Sequence, residues 1–188
     1  KKTYALMLHA FVLVACALFL LVTLYIDVIK LIIPNPLYHE GVVIIPVVLM
    51  ANMFLGIYYN LSVWYKVTDQ TKYAALISII GAILTITLNL ILIPRYGYMG
   101  AAWSTFLCYF LMTVISFYMG QKKYKIDYDV KYILGCITLT LMVFSVSHFS
   151  KITLYRNIQL DNTVLFLLYT IFTYWQIKKM ITVNTNQT

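Results

Sequence analysis

Residues 89–102 read NLILIPRYGYMGAA, and this stretch decides how the chain folds. An apolar run ends at Pro94, and the polar and aromatic segment after it contains Gly97, a residue type that readily adopts a positive φ. Gly100 and the two alanines after it begin a second apolar run, whose small side chains allow close packing against a neighbouring helix. The spacing predicts a tight hairpin of two helices, with Pro94, Gly97 and Gly100 as the structural residues of the turn.

The composition of the whole chain indicates that these apolar runs lie in lipid. Of the 188 residues, 62% are hydrophobic and 11% are charged, whereas an ordinary soluble domain is about 45–50% apolar and about 25% charged. The mean hydropathy is +0.84. This composition excludes a soluble globular domain and an intrinsically disordered chain. The three cysteines have no paired spacing and are expected to be small buried residues: Cys16, Cys108 and Cys136.

Uncharged stretches of about 17–25 residues predict transmembrane helices, and this chain has six such candidates. Every Lys, Arg, Asp and Glu lies outside them, and Tyr and Trp residues lie near their ends, as expected for an interfacial belt. The predicted spans are residues 4–26, 42–65, 73–93, 99–120, 132–149 and 162–177. The expected fold is all-α: a polytopic membrane helix bundle of six transmembrane helices, with residues 1–188 as a single membrane unit.

The basic residues predict the orientation of the spans. Ten of them lie on the side that holds both termini and four lie on the other side, so the positive-inside rule places both ends of the chain in the cytoplasm. The ten are Lys1, Lys2, Lys66, Lys72, Lys122, Lys123, Lys125, Lys131, Lys178 and Lys179, and the four are Lys30, Arg95, Lys151 and Arg156. The net charge of +8 is therefore read as membrane orientation and not as nucleic-acid binding. Because the sequence lacks an initial Met, we expect it to be a piece of a longer protein.

No arrangement of side chains in the sequence points to catalysis. His9, His39 and His148 have no nucleophile or carboxylate at helical spacing, so no triad, metal site or cofactor is predicted, and the chain is not expected to be an enzyme.

Three amides are the polar candidates within the spans, namely Asn52, Asn60 and Asn89. Because an amide in hydrocarbon needs partners, each is expected to face either another helix or a wet cavity. Pro46 is expected to kink or loosen the second span.

The hairpin also carries a longer motif. It reads Asn89-x-x-Leu92-Ile93-Pro94-x-x-Gly97-x-x-Gly100-Ala101-Ala102 followed by Ser104-Thr105. Upstream lie Tyr38-x-x-Gly41, Ile45-Pro46, Gly56 with Asn60, and the sequence TKYAA at residues 71–75. From about residue 34 to residue 109 the chain resembles the C-terminal part of bacterial Wzx-type polysaccharide (O-antigen or lipopolysaccharide) flippases, which belong to the multidrug/oligosaccharidyl-lipid/polysaccharide exporter superfamily, a MATE-like group.

The resemblance implies a bacterial inner-membrane transporter of about 12–14 helices in two lobes that works by alternating access. Such proteins carry a polyprenyl-pyrophosphate-linked oligosaccharide across the cytoplasmic membrane for surface polysaccharide biosynthesis. The implied partners are membrane lipid, the lipid-linked oligosaccharide and the N-terminal lobe of the same protein. The family's cationic cavity has no counterpart in the predicted spans, which contain no Lys or Arg.

Other functions remain open at this point. A multidrug exporter or a peptidoglycan-precursor flippase of the same superfamily could carry a similar hairpin, although drug exporters commonly use membrane acids and the spans contain none. A membrane glycosyltransferase or polymerase would need acid, base or Arg groups on sizeable outer loops. A non-transport structural membrane protein is the remaining alternative.

Overall fold

The computed structural model describes residues 2–32, 34–153, 163, 164, 166–173, 175, 176 and 178. Across these residues the chain is helical with short connections and contains no β-strand, which confirms the all-α prediction for the described part. The helices are α1 (Lys2–Leu24), α2 (Ile26–Ile32), α3 (Ile45–Leu61), α4 (Val63–Val67), α5 (Lys72–Lys123) and α6 (Val130–Thr153), and a 3-10 helix covers Pro36–Ile44.

Within the part of the chain that the structure describes, four helical stretches are long and apolar enough to cross a membrane. They are Lys2–Leu24, Gly41–Val67, Lys72–Lys123 and Val130–Phe149. This agrees with the membrane character read from the composition, whereas the full set of six spans stays a prediction. The sixth, residues 162–177, lies partly outside the described residues, and its described residues are helical.

The 52-residue helix α5 contains both the third and the fourth predicted spans. Its backbone leaves the helical region at Gly97, with φ 56° and ψ −135°. This break divides α5 into a first arm before Gly97 and a second arm after it. Pro94 was expected to end the third span, but it lies inside the helix, and the reversal occurs three residues later. Membrane helices tolerate an internal proline where neighbouring groups satisfy the freed carbonyl.

The segment between the first two predicted spans contains short helices: α2 and the 3-10 helix occupy most of residues 27–41. Pro46 was expected to kink or loosen the second span, and it stands in the first turn of α3, directly after the 3-10 helix. At that position a proline costs no hydrogen bond, because the first helical N–H groups have no partner within the helix.

The described contacts divide the chain into two compact units. The first unit comprises the start of α1 up to Phe11 together with Leu37–Tyr128. In it α3 and α4 pack against α5, around a core of Tyr58, Ile77, Cys108 and Met112.

The second unit comprises Val12–Pro36 and the residues from Asp129 onward. Its contacts join α1 to α6 and to the described residues after position 162. Phe19 meets Phe144 edge to face at 5.7 Å, and Tyr25 meets Phe166 at 6.3 Å. The expectation of one membrane unit for residues 1–188 stays a prediction.

Candidate functional site

The turn of the α5 hairpin is the part of the first unit that the sequence motif marks. Gly97 adopts a positive φ, which side chains with a Cβ rarely tolerate. Gly100, three residues later, faces the backbone of the first arm so closely that an added Cβ would overlap the carbonyl oxygen of Leu92. The backbone of Leu92 cannot move aside as a flexible side chain can, so position 100 requires glycine. Position 97 requires glycine because of its positive φ.

A polar pair joins the two arms just below the turn. The hydroxyl of Ser104 donates a hydrogen bond to Oδ1 of Asn89, and Ser104 is fully buried. The serine also bonds the carbonyl of Ala101 in its own helix at 3.1 Å. In an apolar surrounding such a pair satisfies an amide that would otherwise lack a partner. Asn89 therefore faces a helix in this structure, which is one of the two alternatives left open by the sequence.

Deeper in the hairpin, small residues keep the arms close. The thiol of Cys108 donates to the carbonyl oxygen of Gly81 at 3.3 Å, and a Cβ on Gly81 would lie 2.6 Å from the sulfur of Met112. Cys108 is buried, as are Cys16 and Cys136, which confirms the expectation for all three cysteines. The arms are thus in contact over most of their length.

Helix α3 packs on the second arm through one polar contact and a set of aromatic rings. Thr113 donates from its hydroxyl to the backbone carbonyl of Phe54 at 2.9 Å. The ring of Phe54 lies edge to face with Phe106 at 5.6 Å and with Phe110 at 5.1 Å. On the other side of α3, Gly56 leaves the space that the ring of Phe11 fills.

The other two predicted amides make local hydrogen bonds. Asn52 is exposed and donates to the carbonyl of Val48 at 2.8 Å, whereas Asn60 is half-buried and donates to the carbonyl of Gly56 at 2.9 Å. The structure therefore brings Asn89 to a partner on another helical arm and does not bring the three amides together. A role for Asn52 or Asn60 at a cavity stays a prediction.

Sequence reasoning missed a polar cluster in the second unit. Cys16 lies beside Thr140 and Tyr169, and the Thr140 and Tyr169 hydroxyls are hydrogen-bonded at 3.2 Å. All three residues are at most 3% exposed. They come from three separate helical stretches, so no local spacing in the sequence could have revealed them. Their hydrogen bonds are mutually satisfied, which is typical of polar residues that hold membrane helices together.

The four long apolar helical stretches contain no Asp or Glu. No group of three or more His, Cys, Asp or Glu residues that could hold a metal occurs in the part of the chain that the structure describes.

After α5, burial raises the pKa of Tyr128 to about 12, and its ring contacts that of Phe117 at 6.3 Å. His148 stacks on Phe144 at 5.9 Å.

Comparison with known proteins adds no assignment: no protein-family model, curated protein or solved structure matches the chain.

Proposed function

We propose that the chain is the C-terminal part of a flippase that moves a polyprenyl-pyrophosphate-linked oligosaccharide across the bacterial cytoplasmic membrane. One observation carries this proposal. The residues that give the sequence its resemblance to Wzx-type flippases are the same residues that build the turn of α5: Gly97 supplies the positive φ, Gly100 the close approach, and Asn89 with Ser104 the polar pair. These motif residues build one turn together, which is a structural reason for them to occur together in the sequence.

The proposed work is non-covalent: the protein binds, reorients and releases its substrate. A hairpin whose arms are joined by hydrogen bonds and close glycine contacts can move as one body, as alternating access requires. No Lys or Arg lies within the predicted spans, so positive charge for the pyrophosphate would come from the remaining helices of the full-length transporter.

One face of the first arm is apolar and exposed, which supports its placement against lipid or against the other lobe. Ile79, Ile83, Ile86 and Leu90 recur at helical spacing, and each is at least 59% exposed. An apolar stripe of this kind is stable where hydrocarbon or another apolar helix covers it.

The experiment is deletion of the full-length gene followed by complementation. We expect surface polysaccharide to disappear while the lipid-linked precursor accumulates on the cytoplasmic side, and we expect the intact gene to restore export. We expect Gly100→Ala, which overpacks the two arms, to restore export less well than its control Gly135→Ala, whose Cβ position is open. Changed drug sensitivity with normal surface polysaccharide would contradict the proposal and favour a drug exporter.

A further inference from the structure

The end of the hairpin opposite Gly97 carries a basic and aromatic cluster, which we call the Tyr73 platform and define as Trp64, Lys72, Tyr73 and Lys123. The ammonium of Lys72 lies 5.7 Å from the centroid of the Tyr73 ring, and that of Lys123 lies 5.9 Å from the same centroid. One aromatic ring thus holds two cations, one from each end of α5. Both lysines are exposed, so their long side chains can converge on one anion.

The ring that holds these lysines is fixed in place. Tyr73 packs on Trp64 with the ring centroids 5.4 Å apart, and Trp64 is 1% exposed. A Cβ on Gly120 would lie only 2.9 Å from Cδ1 of the indole, so Gly120 is what allows the indole to pack against the second arm. The backbone N–H of Tyr73 donates to the carbonyl of Gln70 at 3.1 Å.

Hydrogen bonds also fix the segment that follows Lys123. Gln121 donates from its side-chain amide to the carbonyl of Ile126 at 2.7 Å, and Ile126 is buried. The backbone N–H of Tyr124 bonds the carbonyl of Gly120 at 2.8 Å. The backbone that carries each of the two lysines is therefore fixed by hydrogen bonds.

The charge of the Tyr73 platform is uncompensated by carboxylates. Among the described residues, no carboxylate forms an ion pair with Lys72 or Lys123, whereas Lys30 pairs with Asp27 on a different helix. Asp69, the acid closest in sequence to Lys72, stands in the turn before α5 and makes no ion pair there. Two ammonium groups on one ring repel each other, and an anion between them would relieve that repulsion.

The position along α5 indicates which anion this is. From Gly97 to Lys72 the first arm rises by about 37 Å, and the hydrocarbon core of a bilayer is about 30 Å thick. If the turn reaches one membrane surface, the Tyr73 platform lies at the headgroups of the other. Tyrosine and tryptophan prefer that depth, and anionic phospholipids present their phosphates there.

We propose that the Tyr73 platform binds the phosphate of an anionic phospholipid, with Lys72 and Lys123 as the cationic ligands and the Tyr73 ring as the group that positions them. The site does not depend on the flippase assignment. It makes an anionic lipid of one leaflet a specific partner of the hairpin.

The test uses the purified full-length protein in nanodiscs of phosphatidylcholine, titrated with phosphatidylglycerol and read by native mass spectrometry. We expect the double variant Lys72→Gln, Lys123→Gln to lose about tenfold in affinity for phosphatidylglycerol. The control pair Lys122→Gln, Lys125→Gln removes the same charge from the same end of the chain, and we expect it to change affinity by less than about twofold. Equal losses from both pairs would mean a diffuse surface potential and would overturn the proposal.

A second series removes the ring without changing the charge. We expect Tyr73→Leu to weaken phosphatidylglycerol binding, Tyr73→Phe to retain it, and Tyr118→Leu, at the ring under Lys122, to have no effect. Undiminished binding by Tyr73→Leu would overturn the role of the ring. Displacement of the bound lipid by millimolar inorganic phosphate would overturn a lipid as the occupant.

Discussion

Ser104 and Asn89 are hydrogen-bonded through their side chains although they lie 15 residues apart within one helical segment. In a straight helix that separation would place them about 22 Å apart. The bond therefore requires the segment to turn back on itself between them, which it does at Gly97. The predicted hairpin is therefore a chain reversal whose two arms are joined by this hydrogen bond.

The Asn89–Ser104 pair is expected to stabilise the hairpin. A double-mutant cycle with Asn89→Ala, Ser104→Ala and the double variant should give a coupling free energy of about 0.5–1.5 kcal/mol. The measurement is thermal or denaturant unfolding of the full-length protein in detergent. Asn52→Ala is the matched control, because that amide bonds only a carbonyl of its own helix. Strict additivity of the two substitutions would show that the pair makes no net contribution.

Gly100→Ala should destabilise the protein, because the new methyl group would meet the backbone of Leu92. Overpacking of this kind costs about 1–3 kcal/mol. Gly135→Ala is the control, since Gly135 lies in helix α6 with open space at its Cβ position, where alanine is the better helix former. Melting temperatures of the two variants in the same detergent provide the comparison. A Gly100→Ala protein as stable as the parent would refute the close packing of the arms.

Gly97→Ala should also lower stability, for a conformational reason. An L-residue at φ 56° and ψ −135° is strained by about 1–3 kcal/mol. The complementary control is Asp69→Gly, which places glycine at the described non-glycine position with positive φ, 57°, and should be tolerated. Unfolding free energies measured side by side would test the turn. Equal, small effects of both changes would argue against a positive φ at position 97.

The half-buried phenol of Tyr128 predicts a dependence of stability on alkaline pH. Its folded-state pKa is raised to about 12 by burial, above the ordinary value of about 10. The stabilisation is therefore fully present below about pH 10 and is lost as the pH rises towards about 12. Tyr128→Phe should flatten this part of the stability profile relative to the parent. Parallel profiles for the two proteins from neutral to alkaline pH would contradict a raised pKa of the half-buried phenol.

The long uncharged stretches and the breaker residues were sufficient to predict an all-helical chain of membrane character and to locate the hairpin turn within residues 94–98. These features are local, because a Pro, a Gly and a change from apolar to polar residues act on the backbone where they stand. The exact point of reversal was less predictable. Pro94 was expected to end the helix, whereas the structure continues through it to Gly97.

Contacts between distant segments could not be read from spacing. Trp64 was placed with the interfacial aromatics, but it is buried at 1% exposure because Gly120 makes room for it. The cluster of Cys16, Thr140 and Tyr169 is likewise assembled from three helical stretches. Such sites depend on which helix faces meet, and a single sequence leaves that undetermined.

The central claim is that the α5 hairpin crosses the membrane twice, with its Gly97 turn outside and its lysine-rich ends inside. In a full-length protein whose native cysteines are replaced, single cysteines at Tyr98→Cys and Lys125→Cys can be labelled with a membrane-impermeant maleimide. We predict labelling of Tyr98→Cys in intact cells and of Lys125→Cys only after permeabilisation. Labelling of Lys125→Cys from outside intact cells would contradict the account.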